Sequence, residues 1–161
     1  ATSGLETARA HTAARAIGVE LALAGAKSIT VVNRTAERAE PLVRLLNEKT
    51  DATASLVVWP SNYRVPAGTD IVVNATSIGL GNGDQPLDID GASLSPGMVV
   101  ADVIVDPPNT RFLRDARARG CTVIDGLGML INQGVIGVQY WTGLDADPQA
   151  MRAELERIFG G

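Results

Sequence analysis

Short runs of β-branched and apolar residues alternate along this chain with segments whose apolar residues recur at helical spacing, and that alternation limits the fold more than any other feature. The runs are Ser28 to Val32, Ser55 to Trp59, Ile71 to Val73, Val99 to Val105 and Thr122 to Ile124. Between and around them lie helix candidates. The first runs from about Leu5 to Ala24, with a stripe of Ala10, Ala13, Ile17, Leu21 and Ala24, and Gly25 can close it. Thr35 can cap a second helix buried through Leu42, Leu45 and Leu46, although Pro41 interrupts its hydrogen bonding. Thr110 can cap a third, carrying Phe112, Leu113 and Ala116 and closed by Gly120. A fourth is expected around Met129 to Trp141. A fifth runs from Pro148 to Phe159, with Asp147 as cap and Pro148 at the first helical position.

Strands that alternate with helices predict an α/β fold, a mostly parallel sheet covered on both faces and wound by right-handed crossovers. At 161 residues the chain is the size of one ordinary domain, and 45% apolar residues suffice for a core. A net charge of −4 argues against a general nucleic-acid or anionic-membrane surface. No apolar run reaches the roughly 18 residues of a membrane span, and the N-terminus lacks a secretory pattern. The single cysteine, Cys121, forbids an internal disulfide, fits a reducing cytoplasm, and is expected to pack as a small apolar side chain. His11, the one histidine, is expected on a helix surface.

In a doubly wound sheet, ligands bind beyond the carboxyl ends of the strands. Asn33-Arg34-Thr35 follows the first run, with Arg38 one turn on. A guanidinium there can grip a phosphate with two charge-assisted bonds, and a helix start favours an anion. From spacing alone, two solvated arginines at a helix start is the reading more often met. Asn74-Ala75-Thr76-Ser77-Ile78-Gly79 offers small, hydroxylated side chains and free backbone, or simply an asparagine that satisfies its own loop. Asp102, inside an apolar run, reads as a hydrogen-bonded structural carboxylate. Asp125-Gly126-Leu127-Gly128-Met129 allows close backbone approach, and Gln133 lies one turn beyond Met129 with both donor and acceptor groups. Met129 can also be ordinary core.

Together, Asn33-Arg34-Thr35, Asn74 to Leu80, Pro107 to Thr110, Asp125 to Leu130 with Gln133, and Trp141-Thr142-Gly143 resemble the shikimate/quinate dehydrogenase family in order and spacing, from about Ala13 onward. The resemblance is to that family's C-terminal, NADP-binding domain, and implies a Rossmann-like fold over residues 13–161. It implies that Asn33, Arg34, Thr35 and Arg38 hold the 2′-phosphate of NADP. Thr76, Val103 and Gly126 line the nicotinamide side, with Met129 nearby, and Gln133 binds a cyclohexene carboxylic acid. The implied reaction is reversible hydride transfer between shikimate and 3-dehydroshikimate, in aromatic amino-acid biosynthesis. Gln133 and Trp141-Thr142-Gly143 speak against another family sharing this cofactor domain, glutamyl-tRNA reductase.

Three departures accompany the resemblance. The family's catalytic lysine and aspartate lie in an N-terminal domain that Lys27 and Lys49 do not match, so this chain alone is expected to be inactive. Arg9-Ala10-His11-Thr12 stands where the family has a glycine-rich phosphate loop, and no apolar run precedes it as a first strand. Residues 1–12 are therefore expected to be unlike the family, or else to extend the first helix back to Leu5. Val105 replaces a tyrosine usual near the substrate, which opens quinate or a related compound as the substrate. An alternative is a non-catalytic remnant whose exposed apolar face drives homo-oligomer formation.

Overall fold

The computed structural model describes residues 3–159, with side chains described from Thr12 onward, so His11 falls outside the described side chains. Two compact units appear, 1–63 and 64–161. All strand pairing in both is parallel.

The first unit contains α1 (Ser3–Leu23), β1 (Ser28–Asn33), α2 (Ala36–Lys49) and β2 (Thr53–Val58). α1 begins two residues before the extension expected at Leu5 and runs unbroken through Arg9 to Thr12; among the described residues no strand precedes it. β1 and β2 pair from Ser28↔Thr53 to Asn33↔Val58, with α2 as their crossover. Leu46 is fully buried and joins Ala22, Ala52 and Ala54 in a small core, against which Val19, Ile29, Leu42 and Val43 pack. α2 continues through Pro41 in its second turn, so the helix neither restarts there nor confines the proline to its first turn. Tertiary packing of the Leu42–Leu46 face outweighs the one missing hydrogen bond.

Residues 53 and 59 of the β2 segment donate to the carbonyls of Lys27 and Asn33, which turns the alternate residue, Ala54, to the opposite edge. Asn47 closes that edge. Its Oδ1 accepts from Ala54 N–H at 2.8 Å and its Nδ2 donates to Ala54 C=O at 2.9 Å. A side-chain amide thus stands in for a further strand.

The second unit holds β3 (Ile71–Asn74), a short 3₁₀ turn (Gly91–Ser93), β4 (Val99–Asp102), α3 (Arg111–Ala118), β5 (Thr122–Ile124), α4 (Gly126–Thr142) and α5 (Pro148–Phe159). The ladder order is β3-β4-β5. Val100, Ile104, Phe112, Leu113, Ala116, Leu127 and Ile131 supply its buried centre. β3 is less buried than its apolar run suggests: it lies at the ladder edge, and Ile71 is 43% exposed. β4 ends at Asp102 rather than at Val105. The Asp102 carboxylate takes the Ile104 N–H at 3.1 Å, so a local side chain claims the donor that would extend the strand.

α4 starts at Gly126, earlier than its apolar periodicity predicts, because Asp125 caps it through Gly128 N–H. It packs on α5 at Gly134, where the Met151 methyl occupies the space a Cβ would need. Ile136, Tyr140 and Trp141 on the same helix are exposed. No helix among the described residues is long and apolar enough to cross a membrane. Cys121 is buried as expected, its thiol donating to Ser95 C=O at 3.3 Å.

Candidate functional site

The end of β1 forms the first cluster. Asn33 Oδ1 accepts from Thr35 N–H at 2.9 Å, an Asx turn that folds the chain over into α2. That bond occupies an acceptor of Asn33, which is half-buried. Thr35 is the N-cap of α2 in extended conformation, yet its side chain makes no capping bond. Arg34, Thr35 and Arg38 are exposed, and neither arginine forms an ion pair among the described residues. The result is a helix start with two exposed guanidinium groups and an uncommitted hydroxyl, beside the Glu37 carboxylate of the first turn, and the paired guanidinium groups suit an anion of phosphate geometry. The other capped helices differ. Thr110, Asp125 and Asp147 all accept from first-turn N–H groups.

The ends of β3 and β4 form the second cluster, and here every polar group is engaged. Asn74 and Asp102 are direct partners across the ladder and are each only 3% exposed. Asn74 Nδ2 donates to Asp102 Oδ1 at 3.0 Å, and Thr110 Oγ1 donates to Asp102 Oδ2 at 2.7 Å. Asn74 Oδ1 accepts from Thr76 N–H at 3.1 Å and from Thr76 Oγ1 at 2.7 Å. Thr76 Oγ1 in turn accepts from Ile78 N–H, and Val103 N–H donates to Asn74 C=O, both at 3.1 Å. Burial pushes the Asp102 carboxyl above its ordinary range, and the bonds from Thr110, Ile104 and Asn74 pull against that shift without cancelling it. No described buried side-chain polar atom lacks a partner.

Two glycines make this packing possible. Gly79 has φ 104° and lies 3.4 Å, measured from an ideal Cβ, from the Thr110 methyl. Gly126 sits against the backbone after β4, where a Cβ would overlap the Ile104 carbonyl and come within 2.9 Å of the Val103 carbonyl carbon. The family resemblance implies that Gly126 lines the nicotinamide side. The structure adds a second reason for a glycine there: direct backbone-on-backbone contact.

Thr76, Val103 and Gly126 are thus brought together through Asn74 and the Val103–Ile104 backbone. Met129 is half-buried one turn along α4, and Gln133 is exposed one further turn on, on the same helix face. Lys27 and Lys49 are exposed, as expected. Asp125 also binds Arg152 of α5 at 2.6 Å. Burial alone would raise the Asp125 carboxyl; the Arg152 bond, Gly128 N–H and the Arg152 charge outweigh it and hold the group below its usual range. Arg152 was invisible in the sequence, because its partner lies 27 residues away and no local pattern connects them. Among the described residues no group of His, Cys, Asp or Glu could hold a metal ion.

Parallel strands linked by helical crossovers, with polar clusters at the strand carboxyl ends, define an α/β fold of Rossmann type. The chain belongs to the shikimate/quinate dehydrogenase family, corresponding to its C-terminal domain. Residues 126–156 match the family described as shikimate 5′-dehydrogenase C-terminal domain. The shikimate dehydrogenase (NADP(+)) of Desulforamulus reducens is 40% identical over 148 residues, 90% of this chain and 51% of that protein. The ligand-free 5-ketofructose reductase of Gluconobacter sp. strain CHM43 superimposes with a TM-score of 0.88 at 56% identity, over 91% of this chain and 53% of that one. The Thermus thermophilus shikimate 5-dehydrogenase, solved with NADP(H) and shikimate, gives 0.71 at 31% identity, over 88% and 50%. The chain therefore spans about half the length of the relatives it matches.

Proposed function

We propose that this chain is the cofactor-binding portion of an NADP-dependent oxidoreductase that interconverts a ring alcohol and a ketone, with shikimate and 3-dehydroshikimate as the substrate pair. The observation that carries the reading is the two exposed guanidinium groups without an ion pair among the described residues, Arg34 and Arg38, set with Asn33 and Thr35 at a helix start, which fits the 2′-phosphate that distinguishes NADP from NAD. NADP, when bound, supplies or accepts the hydride. Thr76, Val103, Gly126 and Met129 present backbone, a hydroxyl and a soft apolar surface to the nicotinamide side. Gln133 donates and accepts hydrogen bonds toward the substrate.

Hydride transfer from an alcohol also needs a proton acceptor within hydrogen-bond reach. The one buried carboxylate among the described residues, Asp102, is saturated by its own donors. The acceptor is accordingly assigned to the part of the relatives' length that this chain does not span. Arg9 to Thr12 bring no glycine loop to the pyrophosphate, so binding rests more heavily on the 2′-phosphate end. The cytoplasm, where a free thiol such as Cys121 stays reduced, is the compartment we propose.

A second reading of the substrate, a polyhydroxylated ketone such as 5-ketofructose, is favoured by two observations. Identity to the Gluconobacter reductase is 56%, against 40% for the Desulforamulus shikimate dehydrogenase. Half-buried Val105 also stands where the family usually has a tyrosine. Assays of the whole protein with NADPH and 3-dehydroshikimate or 5-ketofructose, and with NADP and quinate, separate the readings. Turnover of 3-dehydroshikimate supports the first. Turnover of 5-ketofructose alone replaces it with the second, and no turnover of any with a folded protein supports a non-catalytic remnant.

A further inference from the structure

The Asp102 carboxylate is buried and carries a raised proton affinity, and of the positions assigned to cofactor or substrate it meets only the backbone N–H of Val103. Its other bonds lead to the residues that hold the rest of the nicotinamide side. Oδ1 holds Asn74 Nδ2 and, with it, the residue whose side chain fixes both the N–H and the hydroxyl of Thr76. The same oxygen holds Ile104 N–H and so sets the backbone directly after Val103. Oδ2 holds Thr110, the cap of α3, which anchors the cluster to a rigid helix and whose methyl supports Gly79 at the far end of the Thr76 loop. An apolar residue of similar size would avoid the desolvation cost, and a surface loop does not need such a connection.

We propose that Asp102 is a positioning residue: one buried carboxylate sets the loops after β3 and β4 together, and so fixes Thr76 and Val103 relative to the nicotinamide ring. This rests on the assignment of those two residues to the nicotinamide side. A carboxylate can accept from all three donors at once, because it has acceptors only. An asparagine at 102 sets an NH₂ donor either against the Asn74 and Ile104 donors or against Thr110, whose hydroxyl must then turn from donor to acceptor. The loops then lose the charge-assisted bonds of the carboxylate while the fold keeps its shape.

The test uses the whole protein and its variants Asp102→Asn, Thr110→Val and Thr110→Ser. Affinity is measured for NADPH and for adenosine 2′,5′-bisphosphate, which carries the 2′-phosphate but no nicotinamide; kcat is measured with whichever ketone the unaltered protein reduces. Asp102→Asn and Thr110→Val are expected to lower kcat by about 10- to 100-fold, the scale of a small misplacement of reacting groups. NADPH affinity falls with it, adenosine 2′,5′-bisphosphate affinity stays unchanged, and Thr110→Ser restores the unaltered values. Folded variants with unchanged kcat and NADPH affinity overturn the proposal, as does a parallel loss of affinity for both ligands, which marks a general structural effect. If Asp102→Asn does not fold, the Thr110→Val and Thr110→Ser pair decides on the same criteria. An unaltered protein that binds neither ligand removes the cofactor reading and this proposal with it.

Discussion

The strand ends of the two units satisfy their polar groups in opposite ways. After β1, one Asx bond shapes the turn, and the arginine side chains and the Thr35 hydroxyl are exposed, the arginines without an ion pair among the described residues and the hydroxyl without a capping bond. After β3 and β4, a carboxylate, an amide and two hydroxyls bond to one another, and three of the residues are buried to within 3%. The difference teaches how a single fold divides its work. A charged ligand group can complete an open site by itself, since strong charge-assisted bonds tolerate mobile side chains. A flat ring that must meet a reacting carbon needs walls fixed beforehand.

The largest break in the comparison should come from Gly126→Ala. A methyl group there overlaps the Ile104 carbonyl, and backbone on both sides prevents an easy shift. Loss of about 3 kcal/mol of stability is expected in denaturant titration, the upper end of the range for overpacking, because the clash is with backbone. Arg34→Asp should leave stability unchanged and strike only ligand binding. NADP affinity is expected to fall by about 100-fold, the value of a charge-assisted bond or two, while NAD affinity changes little. Equal losses for the two cofactors by calorimetry would count against the 2′-phosphate role.

Asn47→Ala asks whether the first unit is open everywhere or only at its β1 end. It strips both bonds from the edge residue Ala54 and is expected to cost about 1–2 kcal/mol in thermal unfolding. The smallest effect is expected for Arg152→Ala, about 0.5–1 kcal/mol at neutral pH, because the pair is partly exposed and screened.

The two shifted carboxylates sharpen the contrast through their pH dependence. Asp125 has a folded pKa below its unfolded one, so its contribution is present above the ordinary carboxylate value and fades as pH falls through the folded value. Arg152→Ala should flatten that acid-side loss. Asp102 has the opposite sign. The native state there binds its proton more tightly, so this group's stabilisation is greatest below the ordinary value and declines as pH rises through the raised one. Asp102→Asn should abolish that decline. A stability profile indifferent to both substitutions would contradict the assigned environments.

Much of this arrangement was legible in the sequence because local rules wrote it there. The β-branched runs located five parallel strands, and Thr110 and Asp147 announced helix starts that the structure confirms through their capping bonds. Asn74 was readable as a loop-satisfying asparagine and Asp102 as a hydrogen-bonded carboxylate, and both readings hold. Their partnership was not readable, since it depends on the β3–β4 register joining residues 28 apart. The early end of β4 escaped notice for the same reason: apolar composition continues to Val105, but a side chain intercepts the ladder. Asn47 gave no signal at all, because an edge-closing amide looks like any polar residue near a helix end.

The account turns on the outward-facing cluster after β1, and calorimetric titration of the folded protein with NADP and with NAD tests it most directly, alongside the Arg34→Asp variant. NADP should bind and NAD bind much more weakly, with the preference lost in the variant. A folded protein that binds neither, or binds both alike with and without Arg34, would contradict it.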